Sequence, residues 1–167
     1  MKVFQLALVV LTTATAFLTA QTAGAASANA QESFDKLKML SGSWEGQNSQ
    51  GDPLTVTYRL TAGGSALMSE IYGHDDMISM LHLDGDRLLM THYCGAGNQP
   101  RMQAEASPDG KIFVFDFVDG TNLDASKIGH MYRAVFTIVT TDRHTEEWDF
   151  IQNGRVMKKM FDLQRSR

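Results

Sequence analysis

The run from Met77 to Met102, MISMLHLDGDRLLMTHYCGAGNQPRM, decides how this chain is read. Residues 77–83 and 87–94 are apolar-rich and of strand length, and Asp84-Gly85 between them is a strong hairpin signal. The two strands are expected to pair antiparallel. With Asp84 and Gly85 as a two-residue turn, Leu83 would pair with Asp86, and Met77 would lie opposite His92. Side chains alternate along a strand, so Met77, Ser79, Leu81, Leu88, Met90, His92 and Cys94 share one face. Ile78, Met80, His82, Arg87, Leu89, Thr91 and Tyr93 share the other. The first face ends in the only cysteine of the chain and runs into Gly95-Ala96-Gly97-Asn98-Gln99-Pro100-Arg101. A concentration of planar polar groups beside an apolar strand face is the first candidate site.

The same pattern extends both ways. Strand-forming segments at 43–47, 54–60, 66–72, 77–83, 87–94, 101–106, 111–117, 131–140, 145–151 and 155–164 are separated by turn residues such as Gly51-Asp52-Pro53, Ala62-Gly63-Gly64, Pro108-Asp109-Gly110 and Asn153-Gly154. Short connections imply sequential antiparallel pairing. Ten strands in one open sheet would expose long edges, and closure removes them. The expected fold is therefore all-β, a ten-stranded antiparallel up-and-down barrel. One short helix precedes it at 32–40, with Ser33 as N-cap and Phe34, Leu37 and Leu40 as its apolar stripe. The longest gap, 118–130, reads as a polar loop with one helical turn at 125–128, suited to a ligand rim.

The first thirty residues carry one charge, Lys2, then an apolar run over 3–20, then small residues ending Ala28-Asn29-Ala30. This is the pattern of a secretory signal peptide cleaved after Ala30, with Ala23-x-Ala25 as the alternative site. Threonines interrupt the apolar run, so no stable membrane anchor is expected. Residues 31–167 then form one domain, exported to the periplasm or outside. Losing Lys2 takes the net charge from −4 to −5. An acidic chain without a basic run argues against nucleic acid as partner. A lone cysteine allows no internal disulfide, so packing must carry the stability. The ten methionines suit a core that adapts to an apolar ligand.

Leu40-Ser41-Gly42-Ser43-Trp44-Glu45-Gly46, after the helix and at the start of the first strand, resembles the Gly-x-Trp opening of the calycin superfamily, the lipocalin-like barrels. Ten strands are more similar to its fatty-acid-binding and nitrobindin-like branches, here as a secreted bacterial member. The resemblance implies that Trp44 plugs the closed end and that Arg165, from the last strand, stacks over it. Nitrobindin-like domains hold haem through a histidine near the C-terminal strand. Residues 156–164 contain none, so no haem or other cofactor is implied.

The expected function is non-catalytic binding of a small apolar or amphipathic molecule by a monomer or homodimer. His92, Cys94, Asn98, Gln99 and Arg101 would fix its polar end, with Tyr58, Tyr72 and Met90 along the wall. The alternatives are an isomerase- or hydrolase-type enzyme with His92 as general base beside Glu70 or Tyr93, or a filled barrel serving interaction or stress. His92 and Cys94 lack the third and fourth partners of a metal site. As i, i+2 neighbours about 7 Å apart they do not form a nucleophilic dyad. Glu70 faces in only if strand 66–72 turns Tyr72 inward; otherwise Leu67, Ser69 and Ile71 do. In Glu146-Glu147-Trp148-Asp149, Trp148 is expected buried, with Glu147 and Asp149 exposed.

Overall fold

The structure, a computed structural model, describes residues 22–73, 76–123 and 129–167, with the backbone alone for 22–29. One helix, α1 (Thr22–Lys38), precedes ten strands: β1 (Gly42–Asn48), β2 (Pro53–Thr61), β3 (Ala66–Tyr72), β4 (Met77–Asp84), β5 (Arg87–Tyr93), β6 (Gln99–Ala106), β7 (Ile112–Thr121), β8 (His130–Thr140), β9 (Arg143–Gln152) and β10 (Arg155–Arg165). Each strand pairs antiparallel with its sequence neighbours, and β1 pairs with β10 to close the barrel. The expected fold class therefore holds.

The helix begins upstream of its expected start. The alanine-rich run from Thr22 is strongly helix-forming, so nothing requires a cap at Ser33, which is a buried residue inside the helix. Phe34, Leu37 and Leu40 join the core, laying α1 against β4, β5 and β6 at one end of the barrel. That end is closed. The opposite end, where β3 meets β4, β5 meets β6 and β9 meets β10, is the mouth.

The deciding hairpin forms with its turn one residue later than expected. Gly85 and Asp86 are the central pair, Asp84 lies opposite Arg87, and Ser79, not Met77, lies opposite His92. Gly85 takes φ 61° at the first central position, where a two-residue hairpin of this kind wants glycine. The pairs slide by two residues, and a slide of two preserves every face. Met77, Ser79, Leu81, Leu88, Met90 and His92 are accordingly buried.

Two features shape the wall near the mouth. β7 pairs with β8 only over Ile112–Asp116, and β1 ends at Asn48 opposite Phe161, so residues 155–160 of β10 have β9 alone beside them among the described residues. A bulge leaves Val118 without a partner between Phe117 and Asp119. The extra residue flips the alternation, so Asp119 points outward although Phe117 does not. Of the expected loop at 118–130, residues 118–121 lie in β7 and His130 in β8, and the helical turn expected at 125–128 falls outside the described residues.

Candidate functional site

The barrel interior has two tiers. The lower tier starts from Trp44, fully buried, whose indole N–H donates to Leu40 O at 2.7 Å. The Arg165 guanidinium stacks on the ring at 4.2 Å and donates to the carbonyls of Ser41, Met39 and Thr141 at 2.9, 2.8 and 3.2 Å. The two glycines flanking Trp44 serve close approach. Gly42 sits at φ 127°, where a Cβ would reach Arg165 Nη1, and a Cβ on Gly46 would overlap the Asp162 carbonyl of β10.

Above Trp44 lies a buried polar network. His144 stands edge-on to the Trp44 ring at 4.3 Å. His144, Glu146 and Trp148 follow at every second position of β9, so all three point inward. The Glu146 carboxylate accepts from Tyr58 Oη at 2.5 Å, His144 Nε2 at 3.1 Å and Trp148 Nε1 at 2.9 Å. Burial raises the Tyr58 phenol well above its ordinary value, and the neighbouring Glu146 charge pushes the same way. His92 completes this tier. Its ring packs on Trp148 at 4.9 Å and its Nδ1 shares a 2.9 Å hydrogen bond with Ser79 Oγ, while Nε2 has no hydrogen-bond partner among the described residues. Burial lowers the imidazole to about 4, so it is neutral at ordinary pH.

The upper tier is the mouth. A cavity of about 310 Å³ is lined by Met77, Cys94, Gly95, Ala96, Met131, Phe150, Met157 and Lys159. Its walls are the mouth-side ends of inward faces: Cys94 continues the row through Met90 and His92, and Phe150 continues the row through Glu146 and Trp148. The lining is apolar apart from one ammonium and one thiol. Such a chamber accepts an apolar body with a polar end.

The sequence-derived site residues divide among these places. Tyr58, Met90 and His92 are buried inside, and Cys94 lines the mouth cavity. Asn98 is fully buried; its Nδ2 donates to Gly129 O at 2.8 Å, tying the β5–β6 connection to the start of β8, and its Oδ1 has no partner among the described residues. Three residues lie elsewhere than expected. Arg101 is outward and exposed, because Met102 takes the inward position, and its guanidinium grips Asp119 with both terminal and internal nitrogens. Gln99 accepts from Thr121 Oγ1 at 2.7 Å and Asn122 Nδ2 at 3.2 Å on the rim. Tyr72 is 47 % exposed, since Leu67, Ser69 and Ile71 are the inward residues of β3. Glu70 and Tyr93, offered as partners for His92, share that outer side; Tyr93 is 48 % exposed.

Sequence reading missed His144 and Glu146. Their signal was present: both alternate with Trp148, a residue expected inside. Starting β9 at residue 145 excluded His144 from the strand. Asp149, expected exposed, is 5 % exposed because Lys158 on β10 covers it with contacts of 3.0 and 3.1 Å.

No family model matches the sequence, and no curated protein is significantly similar to it. Solved structures share the fold. The crystal structure of Rv2717c from M. tuberculosis superposes with a TM-score of 0.57 at 15% identity, covering 81% of this chain and 98% of that one. A protein of the DUF3598 family from Nostoc punctiforme, described as of unknown function, gives a TM-score of 0.54 at 12% identity over 78% of this chain; the match spans about half of that protein's length, 49%. At these identities the likeness is one of fold: a closed antiparallel barrel.

Proposed function

We propose that the protein is an exported, non-catalytic binder of a small, partly apolar molecule, built on a calycin-type barrel. The observation that carries this reading is the apolar chamber at the mouth, with Lys159 beside Met77, Met131, Phe150 and Met157. The molecule's apolar part would sit among the methionines and Phe150, whose flexible and planar side chains fit irregular shapes. Its polar end would face Lys159 and the rim, in place of the Arg101 contact expected from sequence. The stacked Trp44–Arg165 pair at the closed end and the flanking glycines support the calycin resemblance. Lys2, the apolar run and Ala28-x-Ala30 support export.

A filled barrel serving interaction alone is the second reading, favoured by the lower tier, where Trp44, Tyr58, Phe113, Phe115, Phe136 and Trp148 occupy the interior. Catalysis by His92 is less well supported, because its ring is enclosed by Ser79 and Trp148. Native mass spectrometry of the protein recovered from its exporting host decides between the two favoured readings. An organic adduct lost on denaturation supports the binder. A bare polypeptide that also fails to take up an apolar fluorescent dye supports the filled barrel.

A further inference from the structure

We propose that the mouth cavity is also a site for a soft monovalent metal ion, Cu(I), held by Cys94, Met77, Met131 and Met157. Half of the residues lining that chamber carry sulfur: the only cysteine of the chain and three of its ten methionines. Their placement follows from the strand register. The β4–β5 ladder ends at Ile78 opposite Tyr93, and Met77 and Cys94 are the residues just beyond that last pair, one on each chain segment. Met131 and Met157 both lie opposite Phe150, one on each side, and form a row across β8, β9 and β10. The sulfurs therefore come from two walls facing one chamber, on side chains long and flexible enough to converge.

The donor set selects the metal. Thiolate and thioether sulfur are soft and favour Cu(I) over hard cations. Zinc and iron–sulfur centres draw on several thiolates, whereas this lining has one cysteine among neutral thioethers, and its one ammonium, on the exposed Lys159, can turn to solvent. Among the described residues no group of three or more His, Cys, Asp and Glu is arranged to hold a metal. The lining side chains offer none of the oxygen donors that hard ions require. This site stands apart from the binder reading and needs neither an organic ligand nor export.

The test is an oxygen-free titration in which the purified protein competes with a chromogenic chelator for Cu(I), repeated with Ag(I) as a redox-inert probe. The wild type should withdraw one ion per chain, with a sulfur-only first shell in X-ray absorption. Cys94→Ser and the triple variant Met77→Leu, Met131→Leu, Met157→Leu should each weaken binding by at least about tenfold, the scale on which even supporting residues of a metal site act. Leucine conserves the apolar volume, so the triple variant should keep a urea midpoint close to that of the wild type. That separates loss of metal binding from loss of the fold. Met157→Leu alone, at a residue 50 % exposed, keeps the test intact if the triple variant folds poorly. No withdrawal of Cu(I), equal affinity in the leucine variants, or nitrogen and oxygen in the metal's first shell would each overturn the site. Absence of dye uptake would count against the organic-ligand reading and leave the metal result standing.

Discussion

The Tyr58 hydroxyl donates to Glu146 Oε1 at 2.5 Å across the barrel interior, joining β2 to β9 over 88 residues of sequence. The bond anchors a carboxylate that no solvent reaches. Glu146→Ala would strand the Tyr58, His144 and Trp148 donors in an apolar surround and is expected to cost about 3–5 kcal/mol. Tyr58→Phe removes one donor and should cost about 1–3 kcal/mol. Urea unfolding reads both as shifts of midpoint at constant slope. A midpoint for Glu146→Ala within error of wild type would mean that the network contributes nothing to the fold.

His92 gives stability an acid limb. Its imidazole falls from 6.5 to about 4 on folding, so the unfolded chain binds the extra proton between those values. Stability from this group is complete above about pH 6.5, is lost as pH falls towards 4, and then levels off, in all about 3 kcal/mol. His92→Gln should flatten that limb in a series of urea melts from pH 7 to 4.

Tyr58 acts at the other extreme. Its phenol is raised above 10.0, so the folded chain keeps a proton that the unfolded chain releases. Stability from this group is present below pH 10 and declines above it. Tyr58→Phe should remove this decline, which an unfolding series between pH 9 and 11 would register.

Trp44 and Arg165 close the lower end together. Trp44→Ala should cost about 3–5 kcal/mol, as for other large buried aromatics. Arg165→Lys keeps the charge but cannot serve the carbonyls of Ser41, Met39 and Thr141 at once. It should therefore destabilise, whereas a merely electrostatic role would leave the melting midpoint unchanged.

At the mouth, Ala96→Trp should fill the chamber and abolish uptake of an apolar dye, while Arg101→Ala should leave uptake unchanged. Arg101 and Asp119 form a solvent-exposed pair on the outer wall, and neither belongs to the lining. Equal loss in both variants would place the ligand on the outside of the barrel.

The fold was legible because period-two alternation and turn residues are local signals. Even the misjudged hairpin turn did no harm, since sliding the β4–β5 pairs by two left Ser79, Met90 and His92 inside. The candidate site was legible only in part. Cys94 reached the mouth because it extends a strand face, but Asn98 lies in a connection without a period, and Gln99 and Arg101 open β6 ahead of the register shift. There, burial depends on tertiary wrapping: Asn98 turned inward to reach Gly129 O, and Arg101 turned outward to meet Asp119. That meeting required the bulge at Val118, which carries no glycine signal. The buried acid escaped notice because Glu146 stands beside Glu147, and two adjacent glutamates read as a solvated strand until Trp148 fixes which one points in.

β10 is one strand in sequence with two mechanical characters. Residues 161–165 are held by β1 on one side and β9 on the other, whereas 155–160 have β9 alone among the described residues. Alternate amides of the first stretch therefore face no backbone acceptor, and opening it need break only one ladder. Amide protons of 155–160 should exchange with solvent far sooner than those of 161–165. Met157 and Lys159 sit on that looser stretch, so the mouth chamber has one wall that can give way to a guest without disturbing the bolted end beneath Trp44.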